Sequence, residues 1–531
     1  MKGHEMRFKR KNIIFLLIIA ANIIYCSVFI FKSSFIVSGQ RYFTLFDDAM
    51  ISMRYARNLA EGLGFVWNPY GARVEGYTNF LWTLYMAFWH LLPAAVSKIS
   101  FFIQLTGAVF VTASLFLVKR VSDMVSGGKR YAAAAAVFLT AFYLPLDFWA
   151  LRGMETPVLV FLLLLSITRV FRVVEKKEFD PFLFIIAGTG LLVRMDFALF
   201  FAVIFFFVLY SVPERRIQNA VSAVMVFTLI SGAHLLFRLF YYGEALPNTY
   251  YLKMTGMPVL LRVQRGLWVF NDFAANMSWP VFLTPFIYSL SNLKNRKILF
   301  LSALILVQFF YSIYAGGDAW EWWGNLANRY LCVVMPLFFI LMVSAVDYVA
   351  GRIIKSGKIR VSAFAENSVK AFITGLLLIQ IHGGSLSAGF RDLLDFTGAH
   401  VEDDKNMVRL GLMLKGLTYP DARIAVVWGG AIPYFSERAA VDILGYNDTY
   451  IARGKARVRE YGDIYPGHNK YDYVYSIGKL RPDVIAQLWR PGAGLIEFLD
   501  KDYYTMDIRD MKVLCAYRDK IFLRRSSENI K

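Results

Sequence analysis

Long apolar runs separated by short polar segments set the pattern of this chain. The runs fall near residues 13–31, 79–92, 99–118, 131–149, 156–173, 181–194, 197–211, 218–238, 279–291, 297–314, 329–349 and 369–382. Several are shorter than the roughly 20 residues that cross a bilayer as a helix, so adjoining turns must extend them. The pattern predicts an α-helical polytopic membrane domain over residues 1–382.

Basic residues between the runs predict how the runs are oriented. The N-terminal FKRK places the N-terminus in the cytoplasm and identifies the first run as a retained signal anchor. The later basic connectors all fall on the cytoplasmic side only if residues 79–98 do not cross the membrane. The charges therefore predict about eleven crossings and a first external loop at residues 32–98. The same count places five polar, aromatic-rich stretches outside: 41–79, 151–156, 194–196, 241–277 and 316–329.

The tail, residues 383–531, predicts a second, external α/β domain that is large enough to hold its own core. Arg423–Ser436 has the pattern of a strand, a glycine turn and a helix start. Further strands are predicted at residues 439–444, 481–486 and 512–524, the last as a strand or a hairpin. Gly429-Gly430 lacks the GxGxxG spacing of a dinucleotide site, so nucleotide binding has little support.

Composition narrows the class further. Hydrophobic residues make up 57% of the 531 residues, and the mean hydropathy is +0.46, which excludes an ordinary soluble protein. The formal charge of +19 is explained by basic cytoplasmic loops, so no nucleic-acid partner is expected. Three cysteines, two of them in apolar runs, predict neither a disulfide framework nor a metal cluster.

The stretch 43–80 carries dense charge directly after the first apolar run. Asp47 and Asp48 stand where a helix start is expected, and Ile51 and Tyr55 fall on one helical face. The pattern predicts an amphipathic helix on the membrane surface. The two carboxylates either cap the helix or do chemistry: they accept a proton from an attacking hydroxyl or bind a divalent cation.

A second candidate group lies at the end of the eighth run. His234 and Arg238 are spaced i,i+4, and Lys253 follows a Pro-Asn turn. Arg and Lys at this depth commonly snorkel among interfacial tyrosines. If these cations converge, they form a phosphate site, because cations stabilise a departing phosphate without proton transfer.

A third candidate group is the loop 316–329, with Asp318, Trp320, Glu321, Trp322, Trp323 and Arg329. Tryptophans at the membrane surface usually form an aromatic belt, but aromatic faces beside carboxylates also suit sugar rings. Glu155 and the pair Arg194–Asp196 are weaker candidates, and the pair also has the pattern of a local hydrogen-bonded ion pair.

Together these segments resemble a known family. FDDAMISMRYARNLAEGLGFVWNPYGARVEGYTNFLW resembles the first external loop of the GT-C membrane glycosyltransferases, and within them the bacterial terminal arabinofuranosyltransferase type. Four later segments resemble that group's other blocks in the same order: LRGMETP, HLLFRLFYYGEALPNTYYLK, GGDAWEWWGNLANRYLCVVMP and WGGAIPYFSERAAVDILGYND.

The resemblance implies a transferase that takes a sugar from a polyprenyl-phosphate-linked donor at the outer face of the bacterial plasma membrane. The acceptor would be a glycan, lipid or protein hydroxyl. The implied catalytic carboxylates are Asp47 and Asp48, without a choice of base between them. The implied donor-phosphate residues are His234, Arg238 and Lys253, with Arg54 and Arg329 behind them. The residues expected at the acceptor or sugar are Glu75, Glu155, Asn248, Asp318 and Trp322.

Two departures from the family pattern leave the sugar open. Met50 stands where an aromatic residue is expected, and Ala-Trp-Glu is inserted in the loop that carries Asp318. The WWDYG motif of oligosaccharyltransferases is also missing from the sequence. No cofactor is required by the spacing, and a divalent cation (Mg, Mn or Ca) stays open.

Two other functions are alternatives. A secondary transporter of an envelope precursor should show paired broken helices and an internal repeat, and the sequence shows neither. A membrane anchor for a signalling or adhesion domain would account for the tail but not for the charged external loops.

Overall fold

A computed structural model describes residues 13–321, 328–355, 362–382 and 400–531 of the chain. Before residue 382 it is almost wholly helical, apart from a small antiparallel pair, β1 (Phe35–Val37) and β2 (Gln40–Tyr42). The helices of this part are α1 (Ile13–Lys32), α2 (Asp47–Ala60), α3 (Phe80–His90), α4 (Val96–Ser126), α5 (Arg130–Ala141), α6 (Leu144–Leu151), α7 (Thr156–Lys176), α8 (Pro181–Val193), α9 (Ala198–Ser211), α10 (Arg216–Tyr242), α11 (Asn248–Met254), α12 (Val259–Asn276), α13 (Trp279–Leu290), α14 (Arg296–Ala315), α15 (Arg329–Cys332), α16 (Met335–Lys355) and α17 (Ala363–Gln380). Two 3-10 turns, Met195–Phe197 and Pro213–Arg215, precede α9 and α10.

The apolar runs expected to cross the membrane each correspond to one helix, except that 131–149 contains α5 and α6 and that 329–349 contains α15 and most of α16. Among the described residues, six helices are long and apolar enough to span a bilayer, and α5 with α6 makes a seventh if this pair, bent by 51°, is one span. Three shorter apolar helices include α8 and α13. The helical membrane fold is confirmed, whereas the number of about eleven crossings stays a prediction. Helix α3 has 11 residues, which is too short to cross and agrees with the exclusion of residues 79–98.

Helix α2 is not the surface helix that its amphipathic pattern predicts. Most of its residues are buried, including Asp47 and Arg54. It packs against α3 on one side and against a short helix of the C-terminal part on the other. The prediction of a surface helix is wrong because the C-terminal part covers the polar face that would otherwise lie in the interface. The predicted stop is correct: α2 ends just before Gly62, which has a φ of +79°.

The C-terminal part is an α/β unit, as predicted. Its elements are α18 (His400–Leu417), β3 (Arg423–Val426), α19 (Ala431–Ser436), β4 (Ala439–Asp442), α20 (Thr449–Arg453), β5 (Val484–Ile485), α21 (Ala493–Asp502), β6 (Tyr503–Asp507) and β7 (Lys520–Arg524), with a 3-10 turn at Tyr461–Asp463 and a π-helix at Val474–Lys479. Its sheet has the strand order β4-β3-β5-β7-β6, with β3 parallel to β4 and β5 and with antiparallel pairing of β7 with both β5 and β6. The predicted strand at 512–524 is shorter, and its hairpin partner β6 was not predicted.

Alternation along β3 gives this sheet two buried faces. Ile424 and Val426 join the large core that continues into the membrane helices, whereas Ala425 and Val427 join a second core. The unit therefore has a core of its own and is also continuous with the helical part. The predicted division at residues 382 and 383 borders a segment outside the described residues, so the domain limits stay a prediction.

Candidate active site

The two aspartates at the start of α2 have different surroundings. Asp47 is buried, and its carboxylate oxygens accept hydrogen bonds from the backbone N–H groups of Gly430 (3.1 Å) and Ala431 (2.8 Å). A Cβ on Gly430 would lie 2.2 Å from the carbonyl oxygen of Asp47, so this contact requires glycine. Burial raises the pKa of Asp47 to about 7 against the opposing effect of the two hydrogen bonds. Asp47 therefore docks the C-terminal unit onto the first loop.

Asp48 remains partly open and is held by an arginine. Its Oδ2 accepts a 2.8 Å hydrogen bond from Arg329 Nη1, and its side chain is 19% exposed. The buried Arg329 also donates from Nε and Nη2 to the two oxygens of Asp318, at 2.8 and 3.1 Å. Burial raises the pKa of Asp318, but Arg329 and Lys253 outweigh that effect and bring it below the ordinary value. One guanidinium thus connects an accessible carboxylate to a buried one.

A second ion pair, between Arg265 and Glu321, also holds the loop 316–329 in place. Arg265 is buried and donates to the carboxylate of Glu321 at 3.0 Å and to the carbonyl oxygen of Asp318 at 3.1 Å. Glu321 Oε1 in turn accepts a 3.0 Å hydrogen bond from the side chain of Asn328, the residue before Arg329. Both ends of the loop are therefore fixed by Glu321, a candidate from the sequence, together with Arg265 and Asn328, which were not predicted.

Lys253 provides a cation next to this pair. Its Nζ lies 5.4 Å from the ring centre of Tyr446, and no hydrogen bond or ion pair joins it to another described residue. Burial, and to a smaller extent the charge of Arg329, lower its pKa to about 8 against the opposing charges of Asp48 and Asp318. Lys253 is therefore a partly buried cation without a carboxylate partner, and Arg329 is close enough to influence its charge. Two cations arranged in this way favour the binding of an anion.

His468 belongs to the same site and was not predicted. It is buried, its Nδ1 lies 3.1 Å from the carbonyl oxygen of Pro466, and no described residue bonds its Nε2. Burial lowers its pKa to about 4, while the charges of Asp48 and Lys253 act on it in opposite directions. Because Nδ1 must donate to the carbonyl, the neutral ring presents Nε2 as an acceptor. One signal was available in the sequence: the chain has only 6 histidines, and this one stands in the polar, aromatic segment YPGHNKYDY.

An aromatic group surrounds His468. Trp320, Trp428, Tyr465 and Trp489 all have ring centres within 6.4 Å of its imidazole. Trp320 comes from the loop of Asp318, whereas the others come from the C-terminal unit. The expectation of aromatic faces beside carboxylates therefore applies to Trp320. The predicted Trp322 lies outside the described residues.

Glu155 and Arg194 form a network on the side of Arg329. Glu155 is buried, and its two oxygens accept from Arg194 and from the side-chain amide of Asn79, each at 2.9 Å. Arg194 also pairs with Asp196 at 2.9 Å and stacks on the ring of Tyr330. Burial raises the pKa of Glu155, but Arg194 outweighs this and brings it below the ordinary value. The predicted local pair is present, and it extends to Glu155.

Two predicted phosphate residues have other contacts. Arg238 is buried and makes a two-pronged ion pair with Glu75, both bonds being 2.7 Å long. His234 packs against the ring of Phe80, and its Nε2 is buried without a partner. None of the described contacts joins His234, Arg238 or Glu75 to Asp48. The i,i+4 spacing of His234 and Arg238 suggested a shared phosphate site. Arg238 instead faces Glu75, which neutralises its charge.

Arg54 and Asn248 both serve the docking of the C-terminal unit. Arg54 is buried and donates to the carbonyl oxygens of Trp67 (2.5 Å) and Arg438 (2.7 Å). The side-chain amide of Asn248 donates to backbone carbonyls of residues 445, 446 and 448. These contacts occupy Nε and Nη2 of Arg54 and the amide nitrogen of Asn248, groups that were expected to bind phosphate or sugar.

A divalent cation does not fit the residues at this site. Among the described residues no group of three or more His, Cys, Asp or Glu side chains could hold a metal ion. Asp47 is bonded to backbone N–H groups, while Asp48 and Asp318 share one arginine.

The C-terminal unit is similar to a known protein domain. Residues 397–520 match a domain of unknown function (DUF8728), which covers most of the C-terminal unit. No curated protein is detectably similar to the chain.

Solved structures give a broader match. The oligosaccharyltransferase of Archaeoglobus fulgidus in the apo form aligns with a TM-score of 0.54 at 10% identity, over 88% of this chain and 69% of that one. ArnT from Cupriavidus metallidurans bound to undecaprenyl phosphate aligns with a TM-score of 0.51 at 12% identity, over 97% and 98% of the two chains. The archaeal enzyme has also been crystallised with Zn and sulfate. These structures do not show the arabinofuranosyltransferase subtype, which stays a prediction. The chain has the GT-C fold.

Proposed function

We propose that this protein is a membrane glycosyltransferase that moves a sugar from a polyprenyl-phosphate-linked donor to a hydroxyl acceptor. The observation that carries the proposal is the meeting of an accessible carboxylate, Asp48, with Arg329 and Lys253. The bound lipid in the ArnT structure supports a polyprenyl phosphate as the donor carrier. The acceptor peptide tethered in another structure of the archaeal enzyme supports an acceptor site on the same fold.

Asp48 is the proposed base. It is the more exposed of the two aspartates, and Arg329 fixes the orientation of its carboxylate through one oxygen. The other oxygen accepts the proton of the acceptor hydroxyl as that hydroxyl attacks the anomeric carbon. General-base assistance of this kind contributes typically about 10²–10⁴-fold to the rate. Asp47 already binds two backbone N–H groups and acts by keeping the C-terminal unit in place.

Lys253 is the proposed phosphate ligand. Phosphate leaves as a good leaving group once cations balance its charge, so no second carboxylic acid is needed opposite the base. Lys253 retains no carboxylate partner within the described residues, whereas Arg238 is neutralised by Glu75. Arg329 adds a second positive charge at the boundary between the base and the phosphate. His234 and Arg238 are therefore proposed to act outside the reaction centre.

The aromatic group around His468 is the proposed place for the sugar ring. Flat faces such as those of Trp428 and Trp489 suit a pyranose or furanose ring, and His468 Nε2 accepts a hydrogen bond from a sugar hydroxyl.

The donor sugar is a hexose or a pentose, and the arabinofuranosyl type is proposed from the sequence segments alone. The acceptor is a glycan, lipid or protein of the cell envelope. The reaction is proposed to occur at the outer face of the bacterial inner membrane, with the C-terminal unit in the periplasm.

A turnover assay tests the proposal. The purified full chain in lipid vesicles is given a series of radiolabelled polyprenyl-phosphate hexoses and pentoses, with envelope fractions as acceptors. We expect release of labelled sugar, as glycoside or free sugar, from at least one donor, and loss of that release in Asp48→Asn. Movement of an intact precursor across the vesicle membrane without cleavage of the sugar–phosphate bond would instead support a secondary transporter.

A further inference from the structure

An open cavity lies on the C-terminal unit, apart from the contacts of Asp48. It has a volume of about 1260 Å³ and is lined by α20, by the segment that follows it and by residues around 470. The same stretch of chain serves both places, because His468 belongs to the Asp48 site while Lys470 lines this cavity. Six cations and two carboxylates line it, which leaves four positive charges in excess: Arg453, Lys455, Arg457, Arg459, Lys470 and Arg490, against Asp463 and Asp472.

Three of these cations form a row. Lys455, Arg457 and Arg459 alternate with Ala456 and Val458 in a segment without helix or strand. The small apolar residues pack into a cluster with α12, while the three cations are exposed. The other members of that cluster are Met257, Leu261 and Ile464. In an extended chain, side chains two residues apart are about 7 Å from each other on the same side. The sequence KARVR therefore presents a regular line of positive charge on a fixed support.

Little of this charge is neutralised within the protein. Arg453 pairs with Glu244, and Arg459 lies 3.5 Å from Asp463. Lys455 has no described partner, and Arg457 stacks on Tyr471 at 4.1 Å without a carboxylate partner.

Two further cations complete the lining. Arg490 stacks on the ring of Trp489 and has no carboxylate partner among the described residues. Lys470 is buried and donates only to a hydroxyl and to carbonyl oxygens such as that of Ala452, at 2.6 Å. A concave site that keeps an excess of positive charge after these ion pairs attracts anions.

We propose that this cavity binds an anionic sugar chain with regularly spaced carboxylates or phosphodiesters. The cavity is larger than a single phosphate requires, and its concave form suits a chain better than a flat membrane does. Tyr450, which is 56% exposed, provides an aromatic surface for a sugar ring beside the charges. Binding itself is independent of the proposed transferase function. Only the further step, that the bound chain is the acceptor, rests on that function.

Binding of soluble probes to the purified full chain in neutral detergent tests the site. The probes are fluorescent oligogalacturonate, a phosphodiester-linked mannan and neutral malto-oligosaccharide. The test variant is Lys455→Gln/Arg457→Gln/Arg459→Gln, and Arg490→Gln alone is a second variant from a different segment. The matched control Lys501→Gln/Lys512→Gln/Arg525→Gln removes three exposed cations from the same unit. Unfolding midpoints are measured for all variants.

We expect at least one anionic chain to bind and the neutral chain not to bind. The triple variant should weaken binding about tenfold or more, Arg490→Gln should weaken it less, and the control should leave it within about twofold of the original. The proposal is overturned if neither anionic chain binds, or if the control loses as much affinity as the triple variant. It is also overturned if inorganic phosphate displaces the chains when both are present at the same concentration of negative charge. Binding confined to phosphatidylglycerol vesicles would also overturn it and would identify a lipid headgroup as the ligand. Transfer that persists after loss of chain binding would separate this site from the proposed function.

Discussion

Arg329 Nη1 donates a 2.8 Å hydrogen bond to Asp48 Oδ2 across 281 positions of the chain. The same guanidinium binds both oxygens of Asp318. Because a planar guanidinium fixes the direction of each bond, Asp48 is held in one orientation while part of its carboxylate stays accessible. Its neighbour Asp47 faces the C-terminal unit instead, so two adjacent carboxylates have different tasks.

Asp47→Ala should loosen the C-terminal unit. The substitution leaves the buried N–H groups of Gly430 and Ala431 without acceptors, which costs roughly 1–3 kcal/mol of the free energy of unfolding. Thermal unfolding and limited proteolysis of the full chain measure the effect. Asp500→Ala, which removes an exposed acid from the same unit, is the control and should leave the unfolding midpoint unchanged. An Asp47→Ala protein as stable and as protease-resistant as the original would contradict the docking role.

The cost of Asp47→Ala should also depend on pH. The pKa of Asp47 is about 7 in the folded protein and 3.8 ordinarily, so the folded state binds the proton more tightly between these values. Stability contributed by Asp47 is therefore full at low pH and is lost as the pH rises from about 4 to about 7. Unfolding midpoints at pH 5 and pH 8 should show a larger difference between the original protein and Asp47→Ala at pH 5. An equal or larger difference at pH 8 would rule out this effect of burial.

Lys253 should make donor binding sensitive to alkaline pH. With a pKa of about 8, Lys253 loses its charge as the pH rises through that value, and its hold on a phosphate weakens. We expect the KM for the donor to rise above pH 8 and kcat to fall with it, because the same charge also balances the departing phosphate. Lys253→Arg should move both changes to higher pH. Lys253→Gln should raise the donor KM about tenfold or more at neutral pH.

A matched lysine provides the control for this prediction. Lys479 also lies over a tyrosine ring, that of Tyr475, but in the exposed part of the C-terminal unit. Lys479→Gln should leave the donor KM and its pH profile unchanged. A Lys253→Gln protein with the original donor KM would remove Lys253 from the phosphate site.

The Glu75–Arg238 pair should matter for stability and not for transfer. Glu75→Gln removes one partner of a buried ion pair, which typically costs about 3–5 kcal/mol. Glu75→Leu/Arg238→Met replaces both charges by apolar groups and should recover most of that loss. Unfolding and transfer are measured on the same preparations. A stable double variant without activity would return Arg238 to the donor site, where the sequence analysis placed it.

The sequence predicted the parts of this molecule that depend on local patterns. Apolar runs gave the membrane helices, and the alternation in Arg423–Ser436 gave the strand and helix that carry Gly430. The partner of each charged side chain is set by contacts between distant segments. The periodicity of the sequence carries no information about those contacts. Arg238 looked available because Glu75 is 163 positions away. Helix α2 looked interfacial because nothing in its own sequence indicates the unit that covers it.

The set of residues that form the candidate site was also only partly predictable from the sequence. Asp48, Lys253, Asp318 and Arg329 are recognisable as candidates from the sequence, since charges in predicted external loops are conspicuous in so apolar a chain. His468 was missed because a single histidine in a polar tail carries no periodic signal.

Turnover of the donor by Asp48→Asn tests the central claim most directly. The amide keeps the size of the side chain and can accept the hydrogen bond from Arg329, but it cannot take a proton. We predict that kcat falls by about 10²–10⁴-fold, while the donor KM and the unfolding midpoint stay close to those of the original protein. Turnover at the original rate by a folded Asp48→Asn protein would contradict the account.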